Sequence, residues 1–340
     1  MSSRQLSGHV GERADRHTFA LVVCVVWIVN RRSRGVGLML GSAASWAFGI
    51  LASKSVLDRT DATSNVVLTI QLAASVGALA VVCASRRRPV RPVLRHGWTG
   101  LFEPGLAYQL SLAGLARTSG ANATVLASLE PVVVPFIAVA VLRYRPSRVE
   151  LVMPFVATGG AIAVSFDGAA GGANVTGDLL VFAGVVAAAF YVVISQRHVF
   201  DHDPFTLALV QQLWALVMTV GVLVVGVAVS PVRWPASGAE VLGIAASGLC
   251  NYALPFTLYL SALRHLHVTD AAPFLAAIPA FGLFGAVTVL GEAVSLRQVL
   301  GAAVVVVSLI AITRRSVPSA RPPSIDERRP DRSSVDDRKQ

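Results

Sequence analysis

GANATVLASLEPVVVPFIAVAVLRYRPS, residues 120–147, and VTDAAPFLAAIPAFGLFGAVTVLGEAVS, residues 268–295, are stretches of equal length lying 148 positions apart. Aligned, they bring Ala123 onto Ala271, Pro131 onto Pro279, Phe136 onto Phe284, and Val139, Val141 and Leu142 onto Val287, Val289 and Leu290. The same shift carries 101–163 onto 249–311 without a gap, setting Leu101, Leu106, Leu110, Leu112 and Leu115 on Leu249, Leu254, Leu258, Leu260 and Leu263. Identity is roughly a quarter, and Leu and Val coincide easily in apolar helices, so the shared proline and the unbroken register carry the reading of a repeat. Upstream the shift shortens. At 142 it pairs Ala47, Phe48 and Ser53 with Ala189, Phe190 and Ser195, and at 141 it pairs Gln71-Leu72 with Gln212-Leu213.

Around this repeat the chain is built for lipid. Of 340 residues, 54% are hydrophobic and 14% charged, with a mean hydropathy of +0.64, whereas a soluble domain carries roughly a quarter charged residues. The charges crowd into the termini and a few loops, and the apolar runs between them approach the ~20 residues that a helix needs to cross hydrocarbon. Spans are expected at 36–57, 65–84, 98–117, 121–142, 149–166, 177–196, 205–229, 240–263, 268–290 and 297–313. The expected fold is therefore an all-α integral membrane protein with ten transmembrane helices in two inverted five-helix repeats, 35–166 and 176–314. A polar extension, 1–34, precedes them; its apolar run TFALVVCVVWIV at 18–29 is short for a span and is read as interfacial, an eleventh helix being the alternative. A Pro/Ser-rich, mixed-charge tail, 315–340, is expected to be disordered. Cys24, Cys83 and Cys250 are isolated among apolar residues and read as buried thiols.

Arginine sets the orientation. Arg31, Arg32 and Arg34 precede the first span; Arg86, Arg87, Arg88, Arg91 and Arg95 follow the second; Arg143, Arg145 and Arg148 follow the fourth; Arg314 and Arg315 follow the tenth. Loops of the other parity are poor in Arg: FDGAAGGANVTGD has none and SPVRWPASGAE only Arg233. Both termini are expected in the cytoplasm, and the membrane is expected to be the cytoplasmic (inner) membrane. Since five is odd, the second copy must enter the bilayer upside down, as in many alternating-access carriers. The formal charge of +10 reflects this bias; no basic amphipathic module for nucleic acid is visible.

Two five-span halves, each with an Ala-rich fourth span and the second ending in a Leu-Gly-Glu turn, resemble the EamA-type transporters of the drug/metabolite transporter superfamily. The resemblance covers roughly 35–314 and departs where Arg143-Tyr144 replaces the Gly291-Glu292 of the second half. It implies export or exchange of a small metabolite or drug across a membrane, and it leaves the substrate open.

Polar groups inside spans are the candidates for the work. Glu130 is expected near the middle of span four, beside Pro131 and one turn before Pro135; the prolines free backbone carbonyls next to a carboxylate, at a depth where carriers place their sites. It would bind a proton or a cationic group, or else serve helix assembly. Pro279 is the matching break, with Ile278 in place of the acid. Glu103, beside Pro104, is expected nearer the cytoplasmic end of span three, where snorkelling competes with a role in the pathway. Gln71 and Gln212 are expected to face inward, to touch substrate or to stitch helices. Tyr108, Trp46, Trp214, Tyr259, Phe256, Phe48 and Phe190 are candidate cavity walls, with packing or interface anchoring as the alternative. Asn251, which aligns with Glu103, and Asp270 are weaker candidates; Lys54 is read as snorkelling. Gly41, Ser45 and Gly49 form a small-residue face for close helix contact.

These features point to a secondary transporter of a small organic solute, proton coupling being one option, with the bilayer and a small-molecule substrate as partners and a homodimer compatible. No cofactor, metal or ATP site is expected: a Walker-type run is absent. His265, His267, His198 and His202 lack a matching set of acids, which argues against an intramembrane enzyme. A non-transporting scaffold or sensor is the other alternative.

Overall fold

Punctuation by proline, glycine and short polar loops divides the chain into helical rods. The computed structural model describes residues 32–53, 55–56, 59–115, 117–118, 126–143, 145–165, 174–229, 231–290 and 295–315. The 18–29 run, Cys24, Lys54, the Gly291-Glu292 turn and the tail after Arg315 fall outside these residues. Among the described residues every regular element is helical. In order they are α1 (Arg32–Ser53), α2 (Ser64–Ser85), α3 (91–115), α4 (Glu130–Leu142), α5 (Arg148–Ser165), α6 (Val175–His198), α7 (Pro204–Val229), α8 (Gly238–Leu263), α9 (268–290) and α10 (Leu296–Arg315). Six of them, α1, α2 and α6 to α9, are long and apolar enough to cross a membrane, while α4 and the Leu296–Ile312 part of α10 are apolar but shorter. The outer surface carries exposed aliphatics such as Val81, Leu242 and Val307, which water would not tolerate in such numbers.

Helix ends follow ordinary chemistry. Asn174 caps α6 by accepting from the Gly177 amide, and Ser237 caps α8 by accepting from the Glu240 amide. Ser147 and Glu150 form a reciprocal box at the start of α5, the Glu150 carboxylate accepting from the Ser147 amide at 2.7 Å and the Ser147 hydroxyl from the Glu150 amide at 3.3 Å.

Two rods are irregular at equivalent places. In α3 a 3-10 stretch, Arg91–Leu101, passes through a π turn, Phe102–Leu106, into the α-helix Ala107–Leu115. In α8 the helix Gly238–Gly248 passes through a π turn, Leu249–Ala253, into Leu254–Leu263. These turns are one residue from coincidence under the 148-residue shift. The helix of α3 starts at Arg91, seven positions before the expected span, with Pro92 in its first turn, where a missing amide costs nothing.

Packing pairs each half with the other. α2 lies on α7, α5 on α10, and α3 and α4 on α6. α1 beds on α8 along the small-residue face: Ser45 donates to the Cys250 carbonyl at 2.8 Å, Ser42 to the Pro255 carbonyl at 2.8 Å, and Gly49 lies against the Asn251 backbone. α9 reaches α1 through Gly285, against Phe48 and Leu51. The pairs α3–α6 and α8–α1 are thus repeat equivalents. In lipid such close approach, rather than a hydrophobic driving force, holds helices together.

The contacts also correct one pairing. Gln71 Nε2 donates to Ser53 Oγ and Ser247 Oγ, both at 2.9 Å. Its mirror is Gln211, whose Nε2 donates to Thr99 Oγ1 at 2.8 Å and Ser195 Oγ at 3.3 Å. Ser53 answers to Ser195 and Ser247 to Thr99 under the shifts of 142 and 148. Gly248 packs on the backbone of Gln71 just as Gly100 packs on that of Gln211. The equivalent of Gln71 is therefore Gln211, not Gln212; with two adjacent glutamines the sequence fits either offset, and only the bonds decide. A second correction concerns cysteine: Cys83 is buried, but Cys250 is exposed on the π turn of α8, on a surface that lipid rather than protein would cover.

Candidate functional site

The site is built where the helix breaks meet. α4 begins at Glu130, with Pro131 in its first turn and Pro135 inside it. Thr158 of α5 donates to the Ser128 carbonyl at 2.9 Å, satisfying an acceptor left open just before α4. Ile278 and Pro279 open the last helical segment of α9 in the same manner. Glu103 sits in the π turn of α3 with extended backbone inside an otherwise helical rod, next to the cis peptide bond to Pro104. Because α3 starts at Arg91, Glu103 stands mid-rod rather than near the start of the rod, and it is buried.

Between these breaks lies a cavity of about 500 Å³ whose lining includes Glu103, Glu130, Tyr108, Pro131, Ile278 and Pro279. An alcove of about 110 Å³, sharing both carboxylates, is walled by Trp46, Tyr108, Tyr191 and Tyr259. Aromatic rings continue behind this wall. Trp46 meets Phe256 edge-on at 5.1 Å and Tyr259 at 6.0 Å; Tyr191 lies 6.5 Å from Tyr259; Tyr252 lies 5.5 Å from Tyr108 and 6.4 Å from Phe256. Four of the five tyrosines of the chain, Tyr108, Tyr191, Tyr252 and Tyr259, belong to this cluster. Sequence reading passed over Tyr191 and Tyr252; tyrosines in the middle of apolar runs were the available signal.

The structure thus brings together Glu130, Glu103, Tyr108, Trp46, Tyr259, Pro131 and Pro279. It places the remaining candidates elsewhere. Gln71 joins α1, α2 and α8. Gln212 accepts from Ser75 and donates to the Tyr252 carbonyl at 3.0 Å, joining α2, α7 and α8. Trp214 donates to the Leu94 carbonyl at 3.0 Å, fixing α7 to the start of α3. Asn251 is buried in the π turn of α8 behind Gly49. Phe190 packs on Phe102 at 4.8 Å, and Phe48 is exposed beside Gly285. Asp270 is buried in the first turn of α9.

The cavity runs from the middle of the bundle toward one end: its walls come from the later parts of α1, α3 and α5, the start of α4 and the middle of α6. At the other end, contacts tie α6 and α5 to α8 and α9. Gln196 donates to the Leu263 carbonyl at 3.1 Å, Arg264 donates to the Val199 carbonyl at 2.8 Å, and Thr269 donates to Glu150 Oε1 at 2.6 Å. His267 Nδ1 stands 2.9 Å from that Thr269 hydroxyl, and burial pushes its imidazole down to about 4, against the pull of Glu150. Arg88 pairs with Asp203 at the same end. The rings of His198 and His202 gather round His96, at 5.1 and 4.4 Å; among the described residues no group of His, Cys, Asp and Glu is arranged to hold a metal.

Comparison with known proteins agrees with this architecture. A solved crystal structure of another protein superposes with a TM-score of 0.67 at 20% identity, over 84% of this chain and 99% of that one, and so shares the fold. No curated protein is significantly similar in sequence. The model of the EamA-like transporter family matches twice, over residues 33–166 and 175–314. Together the two matches take in most of the chain and meet where the repeat does, and the protein is accordingly a membrane protein of the EamA-like transporter family, within the drug/metabolite transporters.

Proposed function

We propose that the protein is a secondary carrier that exports a small organic solute in exchange for protons, by alternating access between two inverted five-helix repeats. In this reading α1 to α10 all cross the cytoplasmic membrane and both termini are cytoplasmic. The cavity is then open to the outside, and the Gln196, Arg264 and Glu150–Thr269 contacts close the cytoplasmic end. Rocking the α3–α4–α6 group against the α1–α8–α9 group would break those contacts and close the cavity above, because the two groups are built alike and can exchange roles.

The observation that carries the proposal is the pair Glu103 and Glu130 in one cavity at the meeting of the broken helices. Acids at such depth are costly and mark a pathway more often than a structural contact. Glu130 is assigned the exchanged proton. Flux of solute in sealed vesicles, driven by an imposed pH gradient, tests the carrier. Glu130→Gln is expected to remove the pH dependence, and unchanged flux and pH response in that variant would reject the coupling role. In a background with Cys24, Cys83 and Cys250 replaced by Ala, single cysteines placed by Arg87→Cys and Ala236→Cys should label from opposite sides of the membrane; labelling from the same side would reject the inverted arrangement.

A further inference from the structure

The cavity walls restrict what the solute can be. Glu103 and Glu130 are the charged side chains that line it, and no Lys, Arg or His does so among the described residues. Neither carboxylate has a hydrogen-bond or ion-pair partner among those residues. Two acids in a largely apolar cavity repel one another and have less solvation than they would have in bulk water. Protonation relieves this, and so does a guest that brings positive charge in the proton's place.

The alcove shared by both acids adds a second constraint. Trp46, Tyr108, Tyr191 and Tyr259 present ring surface whose π faces are negative and attract a cation. Tyr259 lines the alcove, and its buried hydroxyl has no hydrogen-bond partner among the described residues. Carboxylates and this hydroxyl all accept hydrogen bonds, so the matching head group is one that carries N–H donors as well as charge. Most of the remaining lining is Ala, Val, Leu, Ile, Gly and Pro around about 500 Å³, room for a drug-sized apolar body.

We infer that the transported solute is a hydrophobic amine: an apolar or aromatic body bearing a protonated ammonium that sits between Glu103 and Glu130 against the aromatic wall. Carboxylate-bearing solutes, anions and zwitterionic amino acids alike, are rejected, because their negative group would meet two acids and no cation. This inference rests on reading the cavity as the transport site.

Four solutes of similar size and one aromatic ring separate the possibilities: 2-phenylethylamine, 2-phenylethanol, phenylalanine and 3-phenylpropionate. Calorimetric titration of the purified full chain in lipid nanodiscs is expected to show binding of the amine at least ~10-fold tighter than any of the other three. Glu103→Gln/Glu130→Gln should abolish that preference, with Glu240→Gln, at the bundle surface, as the control that retains it. Equal or tighter binding of the acid or amino acid, no measurable amine binding, or an amine preference that survives the double variant would each overturn the inference. The comparison among solutes uses the unaltered protein, so it decides even where the double variant fails to fold. Flux in vesicles is scored separately: an amine bound but never moved overturns the carrier reading and leaves the binding assignment standing, whereas flux of an anion without amine binding does the reverse.

Discussion

The π turn of α3 and the π turn of α8 occupy the same place in the two halves, and they hold Glu103 and Asn251 respectively. Around Asn251 the helices close: Gly49 of α1 lies against its backbone. Around Glu103 they do not, because the counterpart of Gly49 under the 142-residue shift is Tyr191, whose ring walls the alcove instead. A glycine on one side and a tyrosine on the other turn the same helix crossing into a packed joint and a cavity wall. Scaffold contacts are duplicated in both halves; the acids are not. In the proposed carrier the symmetry would serve the motion, and its local breaking would supply the acids of the site.

The largest effects should come from breaking what the halves share. A Cβ on Gly248 would stand 2.5 Å from Gln71 Cα, and one on Gly100 would stand 1.8 Å from the Gln211 carbonyl oxygen. Gly248→Val and Gly100→Val are each expected to lose ~3 kcal/mol or more, enough to prevent recovery of folded protein. Size-exclusion profiles and melting in detergent check this, and a normal profile for one of the two would show that the joints are not equivalent.

Exchanging what differs tests the site itself, scored on protein that still purifies as a folded monodisperse species. In Glu103→Asn/Asn251→Glu the number of acids is unchanged, but one of them leaves the cavity. Flux in vesicles is expected to fall at least ~10-fold, a change of about 1.4 kcal/mol in the barrier. Retained flux would mean that either π turn can host the acid and that the asymmetry is incidental.

A smaller and matched pair of effects sharpens the corrected register. Gln71→Ala and Gln211→Ala each remove two donated bonds between buried side chains, and Gln211 also accepts from the Tyr191 hydroxyl at 3.0 Å. Interhelical bonds in membranes average ~0.6 kcal/mol each, so losses of about 1 and about 2 kcal/mol are expected from chemical or thermal unfolding. A loss for Gln71→Ala with none for Gln211→Ala would return the equivalence to Gln212.

Most of the helical layout was readable from the order of apolar runs and polar breaks, because in lipid each helix must satisfy its own backbone: α2, α5 and α7 begin at Ser64, Arg148 and Pro204, one residue before the expected starts. The early start of α3 was not readable, since RPVLRHG carries too much charge to look like part of a rod, and the place of Glu103 went astray with it. Glu130 and the prolines were found because an acid beside two helix breakers stands out in an apolar run. Gln212 and Trp214 were chosen on residue type, and type does not say which neighbour takes the hydrogen bond. Tyr191 was overlooked because its significance lies in what its counterpart lacks, a side chain.

An effect that vanishes at neutral pH and grows only in acid concerns the other end of the bundle, where the halves differ again: Glu150 of one accepts from Thr269 of the other, and His267 stands beside that hydroxyl. Burial holds the His267 imidazole down at about 4, from an ordinary value of 6.5. It is neutral in the folded state above that value, whereas an opened or unfolded chain would take up a proton as pH falls through 6.5. This contribution to folded stability is therefore fully present at neutral pH and is lost as pH falls from about 6.5 toward 4, by about 1 kcal/mol at pH 6 and about 2 kcal/mol at pH 5. Glu150 opposes the shift but does not cancel it. His267→Asn keeps an acceptor for the Thr269 amide at the start of α9 and removes the titration. Unfolding measured from pH 8 to pH 5 should then show the wild type losing more stability than the variant, with the gap opening only below about pH 6.5. Parallel curves would show that His267 has the same proton affinity whether this end is closed or open, and that the link between the halves there is structural and insensitive to pH.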